Sequence, residues 1–129
     1  MKLKEVNHIA IIASDIERSI AFYVDVLGFT IIRKVYREER DSWKVDLALN
    51  GDYLIELFTF PDAPQRPSYP EALGLRHLAF TVDDIETSIS ELQSKGIETE
   101  SIRIDPFTGY KCVFFADPDG LPIELVEVR

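Results

Sequence analysis

Cysteine, histidine, basic side chains and long apolar runs are all scarce in this 129-residue chain. The one cysteine, Cys112, excludes an internal disulfide and suits a reducing compartment, so a cytoplasmic location is expected. The early apolar run at residues 9–13 is too short for the core of a signal peptide and is followed at once by charge. No stretch approaches the length of a membrane span. Fourteen Lys and Arg face 23 Asp and Glu, leaving a net charge of −9, which argues against nucleic acid or an anionic membrane as the main partner. With only two histidines, His8 and His77, any chemistry that needs imidazole rests on those two.

What the chain does have is an internal repeat. The stretch His8-Ile-Ala-Ile-Ile-Ala-Ser-Asp-Ile-Glu-Arg-Ser-Ile20 returns as His77-Leu-Ala-Phe-Thr-Val-Asp-Asp-Ile-Glu-Thr-Ser-Ile89, an offset of 69 with seven of thirteen positions identical. Ile55-Glu56-Leu57 likewise returns as Ile123-Glu124-Leu125, at an offset of 68. The repeat predicts one domain over residues 1–129 made of two modules, about 5–60 and about 75–129, with a linker at 61–74 that includes Pro61, Pro64, Pro67 and Pro70. A module of that size buries too little surface to be comfortable alone, so the halves are expected to share a core.

Each module reads as βαβββ. Residues 6–13 form an apolar strand expected to be buried on both faces. Ser14 and Glu17 have capping-box spacing, Ile16, Ile20, Tyr23 and Leu27 form a helical stripe, and Gly28 stops it. Strands follow at 29–36, 43–49 and 53–59, with Asn50-Gly51-Asp52 as a tight hairpin turn. In the second module a strand at 76–82 leads to a helix at 84–95. Strands then come near 98–104, 110–116 and 122–128, the last after the turn Asp117-Pro118-Asp119-Gly120. The fold class is α+β: two tandem modules curving eight strands into an open, cup-like barrel with the helices outside.

Four polar residues stand out of apolar surroundings. Alternation puts Glu56 with Leu54 and Phe58 on one face of its strand, and Glu124 is in the same situation. An unpaired buried carboxylate costs several kcal/mol, and two at matching positions repel. A lone histidine at a strand start is commonly a hydrogen-bonded structural residue. Here, however, both histidines and both glutamates occupy equivalent repeat positions. A divalent cation held by His8, Glu56, His77 and Glu124 resolves both costs, and this N₂O₂ set suits Zn, Ni, Co, Fe or Mn better than Ca or Mg.

The same residues carry a family resemblance. His8 with the following Ser-Asp-Ile-Glu-Arg-Ser-Ile-Ala-Phe-Tyr, Leu27-Gly28-Phe29, Ile55-Glu56-Leu57, Arg76-His77-Leu78-Ala79-Phe80, Asp117-Pro118-Asp119-Gly120 and Ile123-Glu124-Leu125 span almost the whole chain. The chain resembles the vicinal oxygen chelate superfamily, which includes glyoxalase I, extradiol dioxygenases, fosfomycin-resistance proteins and bleomycin-binding proteins. Ligands at all four positions are similar to glyoxalase I. That implies a lactoylglutathione lyase-like enzyme binding one divalent metal, Zn or Ni foremost. It would isomerise a small substrate with vicinal oxygens, such as a thiol adduct, through a metal-bound enediolate. The carboxylates then double as general bases, Glu124 first and Glu56 second. The resemblance also implies a homodimer in which each site can draw one histidine and one glutamate from each subunit. Its other branches supply two rivals, an Fe(II) dioxygenase and a non-catalytic small-molecule binder.

The sequence departs from glyoxalase I at two positions. Ile12 stands where bacterial members carry an arginine for glutathione, and Phe60 where they carry an asparagine. The metal chemistry can persist with a different substrate. Arg37, Arg40, Trp43 and Lys44, in a dense charged segment, are candidate substrate-binding residues: the cations would attract an anion and Trp43 would cap a pocket. Cys112 alternates with Tyr110 and Phe114 and is expected in the core rather than as a reactive thiol.

Overall fold

Apolar alternation builds two four-stranded mixed sheets, one in each half of the chain. The computed structural model describes residues 1–128 and falls into two units that meet between Gln65 and Arg66. The first unit runs β1 Ile9–Ile12, α1 Ile16–Ile20 with a π-helical continuation Ala21–Val26, β2 Thr30–Arg37, a 3₁₀ turn Glu38–Arg40, β3 Ser42–Leu49 and β4 Asp52–Phe58. The second runs β5 Leu78–Val82, α2 Ile85–Ser94, β6 Arg103–Ile104, β7 Lys111–Ala116 and β8 Pro122–Glu127. The expected βαβββ order is present in both. The sheets have matching orders, β1-β4-β3-β2 and β5-β8-β7-β6, and in each the first strand lies parallel to the last.

The repeat extends to packing. Ile55 and Leu57 on β4, with Val45 and Leu47 on β3, are fully buried on one face of the first sheet, while Ile16 on α1 and Phe22 and Tyr23 on its π-helical continuation are also buried. In the second unit Ile123 on β8, Val113 on β7 and Ile85 on α2 do the same, and α2 contacts β7 and β8. The β3–β4 hairpin closes through Asn50 and Gly51, both at positive φ (51° and 87°), between the paired Leu49 and Asp52. This is the turn whose twist matches the strands, and glycine meets its second requirement without strain. Among the described residues no helix is long and apolar enough to cross a membrane.

Several local expectations are corrected. The first helix is capped by Asp15, not Ser14: the Asp15 carboxylate accepts from Arg18 N, as Asp84 accepts from Thr87 N in the second unit. An anionic acceptor gains from the positive end of the helix as well as from the hydrogen bond, so the repeated aspartate takes the role. Strand β1 is not buried on both faces. Ile11 is buried, while Ile12 is 55% exposed. The strand expected at 98–104 shrinks to Arg103–Ile104. Before it, Glu100 N donates to Phe114 O, and Ile102 and Ile104 are both exposed.

Candidate metal centre

Each unit brings one histidine and one glutamate together by the same register. In the first, parallel pairing sets Ala10 against Glu56, and His8 precedes Ala10 by two residues, so ring and carboxylate share a face. In the second, Ala79 pairs with Glu124 and His77 precedes it by two. His8 Nε2 lies 3.6 Å from Glu56 Oε1, and His77 Nε2 lies 3.8 Å from Glu124 Oε1. Two donors held about 2.1 Å from one ion at a tetrahedral angle are about 3.4 Å apart, so both pairs are close to the spacing of ligands sharing a cation.

The two imidazoles are held differently. His8 Nδ1 is 2.6 Å from Asn7 Oδ1 and so carries the proton, leaving Nε2 as a lone-pair donor. His77 Nδ1 faces Arg76 Nη1 at 2.9 Å. A guanidinium only donates, so here Nδ1 accepts. For His77 Nε2 to ligate, Nδ1 takes the proton and the exposed Arg76 side chain turns away.

Around Glu56 two bulges converge on one carboxylate. The register slips between Ile31 and Arg33 on β2, and between Leu47 and Ala48 on β3 opposite β4, where Ala48 pairs with Tyr53 and Leu54 is skipped. Each extra residue reverses the alternation, turning Arg33 and Tyr53 onto the face of Asp46 and Glu56. Asp46, 3% exposed, accepts from Lys44 Nζ (2.9 and 3.0 Å), Tyr53 OH (3.1 Å) and Arg33 Nε (3.3 Å). Tyr53 OH also reaches Glu56 Oε2 at 3.2 Å, Lys44 Nζ reaches it at 3.3 Å, and the Tyr53 ring stacks on His8 at 5.2 Å.

Burial pushes the Asp46 carboxyl up, but the hydrogen bonds from Lys44 and Tyr53 outweigh it and hold the group below its ordinary value. The carboxylate of Asp46 therefore stabilises the fold above the unfolded-state pKa of about 3.9, and that contribution is lost as pH falls through the lower folded-state value. Asp46→Asn is expected to be less stable than wild type at pH 7, with the gap closing below about pH 4. Urea midpoints at pH 7, 5, 4 and 3 check this, and a gap that does not change with pH would refute it.

Glu124 sits in a plainer setting. Register places Phe114 opposite it, where Asp46 stands opposite Glu56. The Phe114 ring meets His77 edge-on at 5.2 Å. Cys112 is half-buried on this same face rather than in the core. Burial raises its thiol pKa and the Glu124 charge adds to the rise, so it stays a thiol. A cavity of about 670 Å³, partly lined by Arg76, Arg103, Phe114 and Tyr69, borders this half-site.

Of the candidate substrate residues, Lys44 and Arg37 lie on the Glu56 face. Arg37 stacks over Phe58 at 4.8 Å and Phe60 at 5.8 Å, and donates to Ser42 Oγ at 2.9 Å. Trp43 lies on the opposite face, packed on Tyr36 and under Lys34. Arg40 is exposed on the 3₁₀ turn. Sequence reasoning missed Asp46 and Tyr53. An aspartate inside Val45-Asp-Leu-Ala-Leu49 is the same anomaly as Glu56, but its repeat counterpart is Phe114, so duplication gave no warning. Asp84, Glu86 and Glu127 also gather, and local bonds account for them. Asp84 caps α2, Glu127 accepts from Ile85 N at 2.9 Å, and Glu86 pairs with Lys111 at 3.0 Å.

Comparison with known proteins gives matches along almost the whole chain. The family described as the Glyoxalase/Bleomycin resistance protein/Dioxygenase superfamily matches residues 5–125. YaeR of Escherichia coli (strain K12), an uncharacterized protein, is 62% identical over 125 residues, covering 97% of each chain. The lactoylglutathione lyase of Salmonella typhimurium (strain LT2) is 30% identical over 130 residues, covering 95% of this chain and 91% of that one. The crystal structure of the glyoxalase family protein from Enterococcus faecalis superposes with a TM-score of 0.91 at 53% identity, covering 98% of this chain and 100% of the other.

Proposed function

The chain belongs to the glyoxalase/bleomycin resistance protein/dioxygenase superfamily, and from that premise we propose that it is a cytoplasmic, homodimeric metalloenzyme of the glyoxalase I type. Its reaction moves a proton between neighbouring carbons of a small substrate that carries two adjacent oxygens, a thiol hemithioacetal being the leading class. The observation that carries this reading is the matched pairing of His8 with Glu56 and of His77 with Glu124, at 3.6 and 3.8 Å and in identical register.

His8, Glu56, His77 and Glu124 would hold one divalent cation, Zn or Ni foremost, with Co, Fe or Mn as alternatives. When bound, the ion supplies a Lewis acid beside the substrate oxygens. The residues themselves do the rest. Glu124 takes the carbon-bound proton and returns it, with Phe114 and Cys112 as its neighbours in place of the Asp46 and Lys44 that flank Glu56. Glu56, with Lys44 and Tyr53 on one oxygen, stays in place. Arg37 and Lys44 offer positive charge on the Glu56 face to an anionic substrate. Glutathione is the weaker choice of thiol, since Ile12 and Phe60 replace polar residues. Exposed Ile12, Ile104 and Phe107 favour a second copy of the chain as partner.

The test is elemental analysis of the purified protein, then reconstitution with Ni, Zn, Co, Fe or Mn. Turnover is assayed on methylglyoxal mixed with glutathione or with 2-mercaptoethanol. Stoichiometric metal and activity lost on chelation are expected. A protein that takes up none of these metals sinks the reading. Activity that requires oxygen would establish the dioxygenase instead, and small-molecule binding indifferent to chelator would establish a binding protein.

A further inference from the structure

The two half-sites share a backbone register but not their surroundings, and the difference falls on one tyrosine. Glu56 divides its oxygens. Oε1 faces His8 Nε2 at 3.6 Å, while Oε2 receives Tyr53 OH at 3.2 Å and Lys44 Nζ at 3.3 Å. Tyr53 has a single proton and two acceptor-only carboxylates beside it, Asp46 Oδ1 at 3.1 Å and Glu56 Oε2 at 3.2 Å. Asp46 is served without it, since Lys44 and Arg33 already donate to that carboxylate. The tyrosine proton lies within reach of both carboxylates, and turning it to Glu56 leaves Asp46 with its Lys44 and Arg33 donors. The same side chain lays its ring along His8, 24° from parallel. One residue thus touches both donors of the first unit. The second unit differs: Phe114 and Cys112 occupy the places of Asp46 and Lys44, and Glu124 has His77 Nε2 at 3.8 Å and the Cys112 thiol beside it.

We propose that Tyr53 is a positioning residue for the metal centre. Its hydroxyl fixes Oε2 so that Oε1 points beside His8 Nε2, and its ring sets the plane of the imidazole. Glu56 is thereby the retained ligand, and Glu124 the one with freedom to move. The bulge that skips Leu54 exists in the site's favour, since without it Tyr53 would point to the opposite face. Groups that orient a ligand from behind typically change metal affinity or activity by about 10–100-fold when removed.

This rests on the metal-dependent reading above, and the experiment separates the two. Tyr53→Phe keeps the ring on His8 and deletes only the hydroxyl. Competition titration with Zn should give an affinity about 10–100-fold weaker than wild type. The visible spectrum of the Co-loaded variant should shift, reporting altered ligand geometry that mere loss of stability would not produce. Should the variant melt near assay temperature, the same titration in sucrose, which favours the compact state, keeps the comparison valid. Equal Zn affinity and an unchanged Co spectrum overturn the role of Tyr53 while leaving the metal site standing. A wild type that binds neither metal overturns both.

Discussion

Glu124→Gln is expected to lower kcat/KM by about 10²–10⁴-fold on the methylglyoxal–thiol adduct, even when the protein is saturated with metal. Glutamine keeps the volume and one coordinating oxygen but cannot take up a proton. The expectation is specific to this glutamate because the two are not equivalent. Glu56 Oε2 is tied by Tyr53 and Lys44, and a carboxylate held by two donors moves less. Glu124 lies against Phe114 and Cys112, and in the proposed reaction it is the carboxylate that leaves the ion and returns. Glu56→Gln should therefore reverse the profile, costing more in metal affinity than in turnover of the loaded enzyme. Metal content and initial rates measured on both variants check this. Glu124→Gln turning over within tenfold of wild type at full loading would remove Glu124 as the base.

Much of this arrangement is legible in the residues. The duplication points to His8, Glu56, His77 and Glu124, and in each unit one of those histidines lies beside one of those glutamates; alternation separates Ile55 and Leu57 from Glu56, and theirs is the fully buried face. The Asn50-Gly51 turn is equally plain. Illegible were the features that depend on a broken period. A bulge adds one residue and exchanges the faces beyond it, so strict alternation assigns Leu54 to the site and leaves Tyr53 out of it. Asp46 hides for a different reason. Its partners Arg33, Lys44 and Tyr53 come from three strands, and only the folded register brings them within 3.3 Å. The helix cap slipped by one because Ser14 and Asp15 are both cap-forming side chains in adjacent positions, and the anionic one takes the role.

Leu57→Ala is the stability counterpart, expected to cost about 2–5 kcal/mol. Leu57 is fully buried on β4, an interior strand of its sheet, paired with Ile11 on β1 and Val45 on β3. Truncation removes three carbons from a site walled by backbone on both sides, where collapse is limited and the cavity persists. A domain of this size is held by only about 5–15 kcal/mol, so the loss is a large fraction of the whole. The urea midpoint of the metal-free protein should fall with little change in slope. The functional consequence follows from the chain itself: Leu57 is the neighbour of Glu56, and slack in β4 loosens the carboxylate that Tyr53 holds. Metal affinity should therefore weaken along with stability, whereas Glu56→Gln should weaken metal affinity and leave the core intact. If Leu57→Ala costs less than about 1 kcal/mol, the first sheet is not packed as this burial requires, and the rigidity attributed to the Glu56 half-site has no source.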